Sequence, residues 1–207
     1  LNVIYGISQL LPKCNTNELQ LYTDTIIQSI DNIKNIEKDF TEYRKTGKHS
    51  IKYDLVEIDE LIQEIVNEYT DMAKRYNIKI IYMKNKKTRV FTDVVKLKQA
   101  ISNLLSNAIK YGSYHEKQED NTIKDVVITY VIDVSFTRII ITDYGIGMSS
   151  NELKRIGQPF YRSKKIDRQG TGLGLSIINK FATLLKWDLN IKSVEKKGTT
   201  IGLTIYS

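Results

Sequence analysis

Gly170-Thr171-Gly172-Leu173-Gly174-Leu175-Ser176 sets three glycines two apart at the mouth of an apolar helical pattern. Glycine at alternate positions lets a backbone turn sharply and lets a ligand approach its N–H groups. The helix that follows adds a partial positive charge at its start. Such a stretch suits a phosphate, but glycine-rich turns before helices also serve plain packing, so the surrounding chain has to decide.

Outward from that stretch, the chain of 207 residues is 41% hydrophobic and 27% charged, the balance of a soluble globular protein with one large or two small domains. No apolar run approaches the roughly 20 residues of a membrane span and no signal peptide opens the chain. It begins at Leu1 inside an apolar pattern, so a fragment is expected, from a parent that could carry sensor or membrane segments. The single Cys14 suits a reducing compartment, and a cytoplasmic location is expected. The net charge of +7 is read as solvated lysine. No basic stripe interleaved with aromatics accompanies it, and no nucleic-acid partner is expected.

Along the chain, Leu1, Ile4, Ile7, Leu10 and Leu11 read as the end of a helix stopped by Pro12. Asn15, Thr16 and Asn17 offer N-cap side chains for a second helix. In it Leu19, Tyr22, Ile26, Ile30, Ile33, Ile36, Phe40 and Tyr43 form one long apolar seam. Residues 1–48 therefore read as a helical hairpin. Two short helices bury too little apolar surface to stand alone, so the seam is expected to pack on a second copy, as half of a dimeric four-helix bundle. After a linker at 45–50, a second domain over 51–207 is expected to be α+β, with one mixed sheet and its helices on one face. Its strands are placed at 53–58, 78–83, 90–92, 126–134, 138–142, 187–194 and 200–206. Its helices are capped by Asp59 and Asp93 and opened by the glycine stretch, with irregular chain over 148–169.

Within Gln99–Tyr111, Asn103, Asn107 and Lys110 (or Tyr111) lie one turn apart each, while Ile101, Leu104, Leu105 and Ala108 turn toward a core. Two asparagines one turn apart in an apolar helix are poor choices for stability alone. An oxygen ligand for Mg²⁺ and a lysine for phosphate would explain them. Asp143 follows a strand and precedes Gly145 and Gly147, where a carboxylate can accept from an adenine amino group; an ordinary turn aspartate has the same look.

In this order the pieces resemble the catalytic domain of bacterial sensor histidine kinases, in the superfamily that also holds type II topoisomerases, mismatch-repair MutL proteins and a class of heat-shock chaperones. The N box is Asn103 to Tyr111, the first glycine box Asp143 to Gly147, and the F box Pro159-Phe160-Tyr161-Arg162. The second glycine box is the stretch quoted first, and Gly198-Thr199-Thr200 resembles the third. The match covers residues 51–207 and implies an α/β sandwich of the Bergerat, or GHKL, ATP-binding type. Residues 1–11 are similar to the segment that follows the family's phosphoacceptor histidine, which on that register lies six residues before Leu1. His49 and His115 read as solvated and do not replace it.

The resemblance implies ATP and Mg²⁺ as cofactors. Asp143 would bond the adenine, with Gly145 and Gly147 leaving room, Tyr111 packing near the base, and Thr199 beside it. Asn107 would ligate Mg²⁺, and Asn103 and Lys110 would act as catalytic residues near the phosphates. Arg162, Lys164, Lys165 and Arg168 would supply lid cations, and Gly170, Thr171, Gly172, Leu173 and Gly174 the phosphate-holding backbone. The implied activity is transfer of the γ-phosphate to a histidine outside this chain and on to a response-regulator aspartate, with homodimerisation through the hairpin and membrane contact only through parent segments. The alternatives are an ATPase of the same superfamily and a non-catalytic ATP-binding or dimerisation module. ATPase relatives carry a glutamate one turn before the magnesium asparagine; here Asn103 holds that place. Gly112 and Gln158 depart from the family's usual threonine and glutamate.

Overall fold

The structure is a computed structural model that describes residues 51–113, 124–163 and 171–207, together with the helical residues Leu19, Tyr22, Thr23, Ile26, Ile27, Ile30, Glu37 and Thr41. The remaining hairpin positions, His49, His115, Lys164, Lys165, Arg168 and Gly170 lie outside the described residues.

From Asp54 onward the elements run β1 (Asp54–Glu57), α1 (Ile58–Arg75), β2 (Ile78–Met83), β3 (Arg89–Thr92), α2 (Val94–Gly112), β4 (Lys124–Ile132), β5 (Phe136–Asp143), α3 (Ser150–Leu153), α4 (Gly174–Leu185), β6 (Asp188–Val194) and β7 (Gly198–Tyr206). Five strands form a mixed sheet in the order β2-β4-β5-β7-β6, with β2 and β4 parallel and the other neighbours antiparallel. The strands alternate as a half-covered sheet requires. Thr137, Ile139, Ile141 and Asp143 of β5 are buried, while Arg138 between them is exposed. Val126, Ile128 and Tyr130 of β4 and Leu203 and Ile205 of β7 continue the covered face. Helices α1, α2 and α4 supply its cover through Ile58, Ile62 and Ile65, through Leu97, Ile101, Leu104, Leu105 and Ile109, and through Ile177, Ile178 and Phe181. Each such side chain contributes roughly 1.5–3 kcal/mol by leaving water.

Three expectations need correction. Among the described residues the strands form two sheets, because β1 pairs there only with β3, as a separate antiparallel ribbon in the register Leu55↔Phe91. Asp59 is not a cap: α1 starts at Ile58 after Glu57, and Asp59 sits in the first turn, where it accepts from the Tyr82 hydroxyl at 2.7 Å. The 148–169 stretch is not wholly irregular, since Ser149 and Glu152 close a capping box around α3, in the S-x-x-E spacing that marks a helix start. Asp93 does cap α2. Burial works against its charge, but the Lys96 ammonium at 2.7 Å and the backbone N–H groups of Lys96 and Lys52 outweigh it and hold the carboxyl below its ordinary range.

Candidate functional site

The site residues fall along one edge of α2 and the ends of β5 and β7 that it crosses. Asp143, the last residue of β5, faces the helices and is 7% exposed. Its carboxylate accepts from the Gly145 N–H at 3.0 Å and from the backbone N–H of Thr199. Burial raises its pKa to about 6 against these two donors, which pull the other way. The carboxylate is thus fixed by backbone, with acceptor capacity to spare.

The glycines around it are required by contact. A Cβ on Gly145 would lie 2.0 Å from the Tyr111 carbonyl oxygen and 2.7 Å from the Gly112 Cα, so the turn after β5 meets the end of α2 backbone to backbone. Gly112, the departure from the family pattern, belongs to the same contact, because a Cβ there would lie 3.2 Å from the Asp143 Cβ. Gly147 rests on the Val194 carbonyl and Gly198 on that of Asp143, so the β6–β7 hairpin closes the other side.

The second group forms around the start of α4. Asn103 lies on α2 two turns before Tyr111, and its side chain stands 3.7–3.9 Å from where a Gly174 Cβ would be. The Asn103 Nδ2 is buried with no hydrogen-bond partner. Facing it, α4 begins after Leu173 with no side-chain cap, so its first N–H groups lack the usual oxygen. A buried amide donor and an uncapped twelve-residue helix therefore converge. Among the described residues the amide nitrogen has no acceptor and the helix start has no side-chain cap, and an anion would suit both.

The run before α4 is tied to the F box. Gly172, at φ +70, fits against the Phe160 backbone and the Tyr161 carbonyl, where an added Cβ would come within 2.8 Å. Its carbonyl accepts from the Phe160 N–H at 3.1 Å, and Phe160 itself has a left-handed backbone at φ +63. Thr171 accepts from the Leu173 N–H at 3.1 Å. The next residues of the F box are held by the Arg155 guanidinium over the Tyr161 ring and by the Ser163 hydroxyl on Glu152. Thus the glycine at 172 has a packing role in this fold, and Gly174 is the one that faces Asn103.

Of the expected site residues, Asp143, Gly145, Gly147, Tyr111 and Thr199 come together in one group, and Asn103 and Gly174 in another. Asn107 and Lys110 lie half-exposed on α2 between them, and Arg162 lies exposed at the end of the F box. Eight residues of α2 separate Asn103 from Tyr111, about 12 Å at the helical rise. Among the described residues no group of three or more His, Cys, Asp or Glu side chains could hold a metal ion. Sequence reading leaves out Glu152, which the capping-box spacing could have flagged, and Ser193, whose link to Thr199 depends on hairpin register.

Residues 92–206 match the family described as histidine kinase-, DNA gyrase B-, and HSP90-like ATPase. Among curated proteins, the chain is 25% identical to the autoinducer 2 sensor kinase/phosphatase LuxQ of Vibrio harveyi, over 99% of this chain and 24% of that protein. It is 28% identical to sporulation kinase E of Bacillus subtilis, over 99% of this chain and 26% of that protein. It thus spans about a quarter of the length of these relatives. Among solved structures, full-length ShkA in complex with AMPPNP superposes with a TM-score of 0.76 at 20% identity, covering 100% of this chain and 43% of that one. The histidine kinase ThkA in complex with the response regulator TrrA gives 0.75 at 20% identity, covering 99% of this chain and 56% of that one. The fold is shared with both.

Proposed function

The chain belongs to the histidine kinase-, DNA gyrase B-, and HSP90-like ATPase family, and from that membership we propose that it is the ATP-binding, phosphoryl-donating part of a sensor histidine kinase. The observation that carries the reading is the buried Asn103 Nδ2, without a partner among the described residues, beside Gly174 at the start of α4, which has no side-chain cap. The triphosphate is placed there, with its adenine amino group on Asp143 at the other end of α2.

The residues fit Mg²⁺ on donor chemistry. Mg²⁺ keeps several waters and takes few protein ligands beside substrate phosphates, so one amide oxygen from Asn107 suffices and an acidic cage is unnecessary. When bound, the ion neutralises phosphate charge. Lys110 and Arg162 are assigned to the same charge, and Thr171 and Leu173 to the approach of the phosphates. Tyr111 flanks the base, and Gly145 and Gly147 leave room for it.

Asn103 holds the place from which a carboxylate could activate water, and an amide cannot take a proton. This favours transfer to another protein over hydrolysis: to a histidine outside this chain, and onward to the aspartate of a receiver domain. ThkA, a neighbour of the same fold, is known in complex with a response regulator. Among the described residues of the proposed hairpin, Leu19, Ile27 and Ile30 are exposed and Tyr22 and Ile26 half-exposed, and a second copy is the proposed cover of the row that holds Leu19, Tyr22, Ile26 and Ile30. The cytoplasmic placement, the hairpin domain at 1–48 and membrane attachment through parent segments are part of the same proposal.

Titration of this chain with ATP and with adenosine tests the site. Asn103→Ala is expected to weaken ATP about tenfold or more and adenosine little, since the lost donor faces the phosphates. Equal weakening of both ligands, or of neither, would overturn the assignment. In the intact parent, Asn107→Ala is expected to abolish acid-labile phosphohistidine formed with ATP and Mg²⁺.

A further inference from the structure

Four residues form one cross-strand row on the helix-facing side of the sheet: Val126 of β4, Asp143 of β5, Thr199 of β7 and Ser193 of β6, each paired with the next. Side chains of directly opposed residues stand side by side on one face. The last member has an unusual burden, for the Ser193 hydroxyl makes three contacts. The Met148 N–H reaches its oxygen at 2.8 Å, the Gly198 carbonyl lies at 3.0 Å, and the Thr199 hydroxyl at 2.9 Å.

A serine hydroxyl has one proton and two lone pairs. The Gly198 carbonyl can only accept and the Met148 N–H can only donate. All three contacts are hydrogen bonds in a single assignment: Ser193 donates to Gly198, accepts from Met148, and accepts from Thr199. The Thr199 proton is therefore committed to Ser193, and the Thr199 oxygen is left to accept. It stands in the row next to Asp143, whose carboxylate is also an acceptor.

From this geometry we infer that Ser193 is a positioning residue that sets base specificity, by locking the Thr199 hydroxyl as an acceptor beside Asp143. The inference rests on the proposed placement of the base at Asp143. The row then presents acceptors alone, which suit a base edge that brings an exocyclic amino group and disfavour one that brings a carbonyl. A misdirected carbonyl there would face two oxygens with no proton between them.

The test compares, for the full chain, the affinities of ATP and inosine triphosphate, in which a carbonyl replaces the amino group and N1 gains a proton, with purine riboside triphosphate, which lacks the amino group but keeps N1 bare, as the control for that proton. Wild-type protein is expected to prefer ATP. Ser193→Ala frees the Thr199 proton to turn toward the base, so the preference is expected to shrink about tenfold, mainly through tighter binding of inosine triphosphate. Ser193→Thr keeps the hydroxyl and is expected to keep the preference. Thr199→Val removes the locked oxygen while leaving Ser193 its bonds to Met148 and Gly198. It is expected to shrink the preference as well, and in that background Ser193→Ala adds nothing further.

An unchanged preference in Ser193→Ala, or equal weakening of both nucleotides, would overturn the inference. Should Ser193→Ala fail to fold, an unchanged preference in Thr199→Val would overturn it by itself. If the wild-type chain bound ATP no more tightly than inorganic triphosphate, the base assignment at Asp143 would fail; a wild-type preference retained by both variants would sink only the role of Ser193.

Discussion

Both ends of the central sheet bury polar side chains, and they treat them in opposite ways. At the end away from the candidate site, Tyr130 is fully buried, and its one hydroxyl proton is shared between the carbonyls of Asn85 and Lys86, at 3.2 and 3.0 Å. The Asn85 amide returns a bond to the Tyr130 carbonyl at 2.9 Å. Tyr82 is bonded to Asp59, and burial with that neighbouring carboxylate pushes its phenol far above the ordinary range. These bonds close locally. At the other end, among the described residues, the Asn103 Nδ2 has no partner, α4 has no side-chain cap, and Asp143 is buried among backbone donors with capacity to spare. The comparison separates a polar cluster that holds the fold from one organised around something the chain itself does not contain.

The largest effect expected is from Gly145→Ala. Its Cβ would meet the Tyr111 carbonyl at 2.0 Å, so the turn after β5 and the end of α2 must part. A loss of about 3 kcal/mol in urea unfolding is expected, together with loss of ATP binding. Normal affinity in a folded variant would show that the two backbones need not touch.

Next comes the titration of Asp143. Its protonated form cannot offer the full carboxylate to a base amino group, and its pKa is about 6. ATP affinity is expected to fall about tenfold between pH 7 and pH 5, where the protonated form predominates about ten to one. Linkage acts in the reverse direction on the empty protein. The group binds its proton more tightly folded than unfolded, so its contribution to stability is present below its ordinary pKa of 3.8 and is lost as pH rises through about 6. Affinity by calorimetry and ligand-free unfolding midpoints should therefore slope oppositely with pH. Parallel slopes would remove Asp143 from base recognition.

The smallest effect belongs to the closed end. Tyr130→Phe leaves two carbonyls without their donor near an exposed turn, at a cost of about 1 kcal/mol in stability. ATP affinity should not move. A change in affinity would show that the two ends of the sheet are coupled and that the contrast drawn between them is too sharp.

Much of this was legible before folding. The helical spacing of Ile101, Leu104, Leu105 and Ala108 depends on local periodicity, and all four are buried where that period puts them. The order of Asn103, Asp143 and the glycine stretch likewise pointed to the region proposed as the site. Local pattern misled at Asp59, whose partner Tyr82 is remote in sequence, and at β1 and β3, whose pairing into a ribbon of their own no period encodes.

What the sequence by itself determined was which faces are apolar and which residues are candidates for chemistry, since both follow from side-chain type and near-neighbour spacing. Tertiary structure alone decided what each glycine is for: Gly145 for the Tyr111 carbonyl, Gly172 for the F box, Gly174 for Asn103. It alone decided too that Ser193, Thr199 and Asp143 share one row. Such contacts depend on strand register and on the distance between backbones, quantities that exist only once segments far apart in the chain have packed together.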